Sequence, residues 1–234
     1  MTGNYEILYD EDMALSFINE VMYPLKQDEW FYACLFARKK YAPELVKSND
    51  RTQLNRFIVN KKEHIVPKVK RMEIPLGGWM LKDHEVPKEA LVFYINPNPR
   101  DMKKAVRTLG KKCWSLTEGN GSSVVREAYS AVQQSRGTGS FLTIDVDGEG
   151  LKKDTLFGKM SDILDDSGIE KCHIIETRGG YHLLIDNKLI TDSKVKSFII
   201  KELKREGLAD KVGDMLSPMP GTIQGGFPVR LIAY

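Results

Sequence analysis

Cysteine is scarce in this chain, and so are long apolar runs and charge of a single sign. Three cysteines among 234 residues are too few and too scattered for a disulfide framework or a Cys-rich zinc site. No stretch approaches the roughly 18 consecutive apolar residues that span a membrane. The opening residues also lack a basic segment followed by an apolar run, the pattern of a secretory signal. We therefore expect a protein of the reducing cytoplasm, without a membrane partner.

The overall charge sets only a weak limit on function. The 35 Lys and Arg outnumber the 32 Asp and Glu, which gives a net charge of +3. This balance is compatible with a polyanionic partner but does not require one. With 41% hydrophobic and 29% charged residues, the composition is typical of a globular protein.

Two Ser/Gly-rich stretches, 117–123 and 135–140, mark a change of pattern along the chain. The residues between them have the spacing of a short helix. We predict an N-terminal α/β lobe over 1–136 and a second lobe over 137–234, joined in one continuous structural unit. In the first lobe the pattern indicates a helix, a strand, and then a strand, a Pro-rich turn and a basic helix.

The second lobe has a more regular pattern. It predicts a strand over 141–147, a helix that Asp154 caps, two strands joined at 178–180, a helix from Asp192 or Ser193, and a last strand over 227–234. The apolar positions of the two helices, which we expect to face inward, are Leu156, Phe157, Met160, Ile163, Leu164, Val195, Phe198, Ile199 and Leu203. This β-α-β-β-α-β order is the ferredoxin-like, or RRM-like, arrangement, and the fold class is α+β.

Asp145 and Asp147 alternate with apolar residues at the end of the first of these strands. Residues two apart on a strand point to the same face, so both carboxylates can bind one or two Mg²⁺ or Mn²⁺ ions. Paired ions suit an in-line displacement at phosphorus. A strand end whose acids face water explains the same pattern equally well.

Three other readings of this D-x-D stretch have less support. An EF-hand loop is disfavoured because Leu156 stands where a bidentate glutamate belongs. A haloacid-dehalogenase-type phosphatase shares D-x-D-G, although Glu149 replaces the usual threonine, and this reading stays open. For a nucleotide-sugar transferase nothing beyond the D-x-D itself is present.

A second group of polar residues lies in the stretch 176–185. His182 follows a Gly-Gly turn in an otherwise apolar strand, and Gly180 lets a ligand approach the backbone closely. Arg178 and His182 can hold a phosphate chain, with the Thr177 hydroxyl beside them. The alternative is a half-exposed histidine beside an ordinary hairpin.

Together with the Pro/Gly-rich loop 218–226, these stretches resemble the archaeo-eukaryotic primase superfamily, which includes primase small subunits and PrimPol-like polymerases. Asp145 and Asp147 match its first motif. Arg178, Gly180 and His182 match its R-x-G-x-H form, and the loop is similar to its PGS-x-HGK motif. The resemblance covers about the last 95 residues of the chain.

The sequence departs from the family pattern at three points. Gly180 stands where the family has serine, and Gln224 stands where many members have histidine. The third acidic residue is ambiguous, with Asp214 as first choice and Asp210 as the alternative.

The resemblance implies a two-lobed primase-polymerase fold that performs template-directed nucleotidyl transfer. It implies that Asp145, Asp147 and Asp214 hold two Mg²⁺ or Mn²⁺ ions. The implied partners are nucleoside triphosphates, a single-stranded DNA template, and a separate helicase or primase accessory protein. The implied triphosphate-binding residues are Thr177, Arg178, Gly180, His182 and Arg230, and those for the template are Lys68, Lys70, Arg71, Arg100, Lys103, Lys104 and Arg107. A primase-like protein that binds nucleotide or nucleic acid without polymerising, and a phosphohydrolase, remain the alternatives.

Overall fold

The computed structural model describes residues 3–46, 50–116, 123–148, 150–169, 171–190 and 192–233. Helices and strands are mixed along the chain, and every strand ladder in these ranges is antiparallel. The fold class is therefore α+β, as predicted. No helix of the described residues has both the length and the apolar character to cross a membrane.

The helices of these ranges are α1 (Glu11–Ser16), α2 (Ile65–Lys70), α3 (Met102–Leu116), α4 (Val124–Gln134), α5 (Lys153–Asp166) and α6 (Ser193–Arg205). A π-helical turn, Phe17–Val21, continues α1, and two 3₁₀ turns span Lys62–His64 and Lys88–Ala90. The strands are β1 (Glu29–Arg38), β2 (Arg51–Val59), β3 (Met80–Leu81), β4 (His84–Glu85), β5 (Leu91–Ile95), β6 (Arg100–Asp101), β7 (Phe141–Asp147), β8 (His173–Glu176), β9 (Gly180–Asp186), β10 (Ala209–Gly213), β11 (Ser217–Pro218), β12 (Ile223–Gln224), β13 (Phe227–Pro228) and β14 (Arg230–Ala233).

The first sheet has the strand order β13-β12-β5-β1-β2, with β11 also pairing β5 and β6 pairing β1. Its long strand β1 is apolar on both faces because both are covered. One face carries the largest core cluster, which includes Phe31, Leu35 and Phe93. The other face packs against α3 and α4 through a smaller cluster. A separate two-stranded hairpin joins β3 to β4.

The second sheet has the order β10-β7-β9-β8-β14. The predicted strand-helix-strand-strand-helix-strand pattern is present as β7, α5, β8, β9, α6 and β10. Its last strand is β10, and the prediction of a single last strand over 227–234 is wrong. That stretch divides at Val229, so that β13 joins the first sheet and β14 adds a fifth strand to the second. The sequence did not mark β10 because an edge strand tolerates charge and glycine, and ADKVG has no apolar alternation.

Helices α5 and α6 cover one face of the second sheet. Most of the predicted inward positions are buried or partly buried there, as expected from their helical spacing. Phe198 is the exception, since 37% of it is exposed. Asp192 caps α6 by accepting a hydrogen bond from the Lys194 amide, whereas Asp154 lies inside the first turn of α5 and does not cap it.

The two sheets share side chains and chain segments. Phe141, Ile175 and Leu184 of the second sheet are buried in the core cluster of the first. Strands β11, β12 and β13 come from 217–228 yet belong to the first sheet. The predicted division at residue 136 therefore does not separate the sheets, and the chain passes from one to the other after β10 and again before β14.

Candidate functional site

Strand β7 alternates between two environments along its length. Ile144 and Val146 are fully buried in the cluster beneath α5 and α6. The opposite face therefore carries Asp145 and Asp147, as the period of two predicts. Asp147 is exposed and Asp145 is half-buried, and both line a cleft of about 540 Å³ between the sheets. The two carboxylates thus share one face and one cavity.

His182 lies directly opposite Asp145 in the β7–β9 ladder. Its Nε2 atom is 3.2 Å from Asp145 Oδ1, and only 8% of its side chain is exposed. Burial lowers the pKa of His182, with Arg38 and Lys211 acting in the same direction and Asp145 opposing them. Among the described atoms, its buried Nδ1 has no hydrogen-bond partner. The imidazole of His182 and the carboxylate of Asp145 are thus within hydrogen-bonding distance of each other, and both line the cleft.

The hydroxyl of Thr177 closes the turn that precedes His182. Thr177 Oγ1 donates to the Gly180 carbonyl at 3.0 Å and accepts from the Gly180 amide at 3.2 Å. This hydroxyl is buried and its hydrogen bonds are made within the turn. A side chain at Gly180 would overlap the carbonyl oxygen of Val146, which explains glycine where the family pattern has serine.

Arg178 fastens the hairpin to the loop between β12 and β13. Its amide donates to Gln224 Oε1 at 2.8 Å, its guanidinium donates to the Gly225 carbonyl, and the same group lies 4.5 Å from the ring centroid of Tyr41. Gln224, where many members of the resembled family have histidine, therefore receives a hydrogen bond from the turn. Arg178 acts here as a connection between the two sheets.

Sequence reasoning missed the basic wall of the cleft, which comes from the first sheet. Arg38 and Arg51 are paired directly across β1 and β2, and both line the cleft with Lys40. Like charges in register destabilise a ladder unless something offsets them. Here Asp50 Oδ2 lies 3.1 Å from Arg38 Nη2, and Arg51 Cζ lies 4.7 Å from the centroid of the Phe36 ring. Two arginines and a lysine facing two carboxylates across a cleft are suited to bind a phosphate chain between them.

Lys40 approaches the hairpin turn closely. A Cβ atom added at Gly179 would lie 3.5 Å from Lys40 Nζ and 3.8 Å from Asp147 Oδ2. The absent side chain of Gly179 thus leaves a polar opening between a cation and a carboxylate. Nothing in the sequence pattern linked Lys40 to Asp147, because Lys40 lies in the turn after β1 and Asp147 ends β7 of the other sheet.

Lys211 is the neighbour of Asp145 on the other side. The β10–β7 ladder pairs Lys211 with Asp145 and Ala209 with Val146, so Asp210 is an extra residue at a register shift. The side chain of Asp210 lies outside the described part of the structure. Lys211 lines the same cleft as Asp145 and Asp147. The residue paired with Asp145 on this side of the ladder is therefore a lysine and not an acid.

Asp214, the first choice for that third acid, lies elsewhere. Its carboxylate accepts from Arg100 at 2.6 and 3.2 Å, and Arg136 Nε is 3.4 Å away. It lines a separate cavity of about 210 Å³ with Asn98. Buried Arg100 neutralises it, so the structure does not bring Asp214 together with Asp145 and Asp147. Within the described ranges, no three His, Cys, Asp or Glu residues form a group that could hold a metal.

The remaining predicted residues also lie away from the cleft lining. Arg230 is paired across the ladder with Glu176, with 3.9 Å between Nη1 and Oε2. Three predicted template residues make surface ion pairs elsewhere: Lys70 with Glu11, Lys103 with Asp28, and Lys104 with Asp101. None of the predicted template residues lines the cleft, and these are Lys68, Lys70, Arg71, Arg100, Lys103, Lys104 and Arg107.

The donors present in the cleft fit a divalent ion of the Mg²⁺ type. Such an ion is bound through one or two protein carboxylates together with substrate phosphates, and does not require a cage made of protein alone. Asp145 and Asp147 supply those carboxylates, and the basic wall supplies the surroundings for the phosphates. No protein-family model, curated protein or solved structure matches the chain.

Proposed function

We propose that this protein is a metal-dependent nucleotidyltransferase of the primase-polymerase type, acting on nucleoside triphosphates and a single-stranded DNA template. The observation that carries the proposal is one cleft with Asp145 and Asp147 on one wall and Arg38, Lys40 and Arg51 on the other. The strand order of the second sheet, β10-β7-β9-β8, supports it as well, because it is the order of a ferredoxin-like unit with its acids on the open face.

The residues of the cleft have different proposed roles, according to where each one lies. Asp145 and Asp147 would hold divalent metal, which would neutralise the phosphates and favour in-line displacement at the α-phosphorus. His182 orients Asp145 as a positioning residue. Arg38, Lys40 and Arg51 hold the triphosphate, and Tyr94 keeps Arg38 in place by accepting a hydrogen bond at 2.6 Å.

The test is nucleotide incorporation on a primed and an unprimed single-stranded DNA template with Mg²⁺ or Mn²⁺. We expect incorporation by the unmodified protein and a loss of at least about 100-fold in the Asp145→Asn/Asp147→Asn variant, because the ion is then no longer held. The matched control is Asp162→Asn/Asp166→Asn, which removes two exposed carboxylates of α5 outside the cleft. Equal activity in both double variants would refute the proposal.

Two other outcomes identify the alternatives that the sequence leaves open. Binding of a nucleoside triphosphate without incorporation would indicate a nucleotide-binding protein of the same architecture. Hydrolysis of p-nitrophenyl phosphate with a phosphorylated Asp145, seen by mass spectrometry, would indicate a phosphohydrolase. We expect neither result.

A further inference from the structure

We propose that Arg178 is a positioning residue, which fixes the two walls of the cleft relative to each other and does not itself bind the triphosphate. The inference rests on the proposed function, and this role differs from the phosphate contact that the family resemblance implies. Arg178 lies in the turn between β8 and β9. The next residue, Gly179, lies beside both Lys40 Nζ and Asp147 Oδ2, one from each wall.

Three contacts join Arg178 to segments of the first sheet. Its amide donates to Gln224 Oε1 at 2.8 Å, and its guanidinium donates to the Gly225 carbonyl. Its Cζ atom lies 4.5 Å from the centroid of the Tyr41 ring. Gln224 belongs to β12, and Tyr41 directly follows Lys40 in the turn after β1. One residue of the second sheet thus contacts two separate segments of the first, and one of these segments carries Lys40.

The ring of Tyr41 is also packed against the β12–β13 turn. A Cβ atom added at Gly225 would lie 2.5 Å from the Tyr41 ring, so the ring lies directly on the backbone of that turn. Gly225 also has a φ of +58°, a conformation that favours glycine. The ring therefore has the Gly225 backbone and the Arg178 guanidinium as neighbours. These contacts determine where the segment with Lys40 lies.

Other contacts hold the hairpin turn on its own sheet. Thr177 Oγ1 bonds to both polar groups of Gly180. Lys153 Nζ donates to the Thr177 carbonyl at 2.6 Å and to Glu176 Oε1 at 2.8 Å. None of these bonds uses the side chain of Arg178, which is exposed. Its removal should therefore leave the turn and both cores intact and change only how the turn meets the first sheet.

The guanidinium of Arg178 is directed away from the place proposed for the phosphates. Other residues of the same turn line the cleft, namely Thr177, Gly179 and Gly180. Arg178 is not among the described residues that line it. Its guanidinium instead donates to a backbone carbonyl and lies over Tyr41. A loss of triphosphate affinity on changing Arg178 should therefore arise through Tyr41 and its neighbour Lys40.

The test is a double-mutant cycle on the affinity for a nucleoside triphosphate. Binding of a non-hydrolysable α,β-imido analogue is measured by isothermal titration calorimetry with Mn²⁺ present. We expect Arg178→Met and Tyr41→Leu each to weaken binding about fivefold, and the double variant to bind no more weakly than either, because both changes break one connection. Tyr41→Phe, which keeps the ring, should match the unmodified protein. Arg178→Lys should bind as weakly as Arg178→Met, because an ammonium does not reproduce the stacked, planar guanidinium.

A second measurement separates positioning from general loss of structure. Free Mn²⁺ is followed by electron paramagnetic resonance as the ion is titrated without nucleotide. Because Asp145 and Asp147 belong to the sheet that keeps its own contacts, Mn²⁺ affinity and the urea unfolding midpoint should be unchanged in Arg178→Met. Lys201→Met, which removes an exposed cation of α6, should match the unmodified protein in all three measurements.

The other outcomes would overturn the inference or the proposed function. Additive losses in the double variant, or recovered affinity in Arg178→Lys, would indicate a direct phosphate contact and overturn the positioning role alone. Unchanged affinity in Arg178→Met would overturn it too, as would a lowered unfolding midpoint together with weaker Mn²⁺ binding. If Tyr41→Leu does not fold, the comparison of Arg178→Met with Arg178→Lys still decides. Failure of the unmodified protein to bind the analogue would instead refute the proposed function, and this inference with it.

Discussion

Gly180 is the first residue of β9 after the hairpin turn, and it lies directly opposite Asp147 of β7. The carbonyl oxygen of Val146 occupies the space that a side chain would need. The strands approach this closely because Thr177 closes the turn through both polar groups of Gly180. Packing therefore determines the glycine at the position where the resembled family has serine, and the proposed phosphate contacts come from the opposite wall of the cleft.

Replacing Gly180 with alanine should destabilise the protein by about 2 kcal/mol, because the added methyl group must displace the backbone of β7. The displacement also moves Asp147, so Mn²⁺ affinity should fall. Urea unfolding and the Mn²⁺ titration measure the two effects.

Gly158→Ala is the control for this change. Gly158 lies inside α5, and apart from the helix's own backbone no atom of the described residues is within 4 Å of the added Cβ. Alanine there should stabilise the protein by about 0.5–1 kcal/mol, because glycine is a poor helix former. If both variants behaved alike, the close approach at Gly180 would not be the cause.

Among the elements, those with strong apolar periodicity were predictable from the sequence. Strand β7, the β8–β9 hairpin and helices α5 and α6 each combine a regular pattern with a turn or cap signal. Strands β2 and β10 were not predicted, because their exposed or edge positions carry charge in place of alternation. Since Arg51 and Lys211 lie on these two strands, the sequence pattern did not place either cation in the cleft.

The paired carboxylates and His182 were predictable because they follow from the alternation of single strands. The opposing cations were not, because their position depends on how two sheets pack. Asp214 was misplaced for a related reason. A carboxylate in a Pro/Gly-rich region gives no local sign that a buried arginine from a distant strand will neutralise it.

The ion pair between β6 and the end of β10 leads to a prediction about stability. Asp214→Asn should destabilise the protein by about 3 kcal/mol, because Arg100 is 3% exposed and would be left buried without a counter-charge. Once folded, the variant should keep its Mn²⁺ stoichiometry. Denaturant unfolding and the Mn²⁺ titration give the two readouts.

The control for this prediction is a surface pair. Glu206→Gln breaks the exposed pair with Lys159 and should leave the unfolding midpoint almost unchanged. A stable Asp214→Asn that has lost its ion would contradict the structural role and restore Asp214 as a ligand.

At the scale of the whole molecule, the chain crosses between the sheets through residues 214–230. Met219, fully buried, is part of the first core cluster, although it follows all the strands of the second sheet except β14. Phe141 and Leu184 enter that cluster from the other side. Loss of packing in the first core is therefore transmitted to the sheet that carries the aspartates.

Met219→Ala should lower the free energy of unfolding by about 3 kcal/mol, the usual cost of such a cavity. Hydrogen exchange followed by mass spectrometry should report the same loss of protection for amides of β1 and of β7, because the sheets unfold together. A loss confined to β1 and β5 would mean that the sheets are separate cooperative units.

The crossing also has a consequence for folding during synthesis. Both sheets are completed by strands from the same stretch, residues 217–233. Strands β11, β12 and β13 complete the first sheet, and β14 completes the second. When β1 to β10 have left the ribosome, β5 is still exposed at one edge of the first sheet and β8 at one edge of the second. Unpaired edges of this kind are the surfaces on which nascent chains associate wrongly. The ribosome-bound protein is thus most vulnerable to wrong association just before residues 217–233 emerge, when Asp145 and Asp147 have already been synthesised.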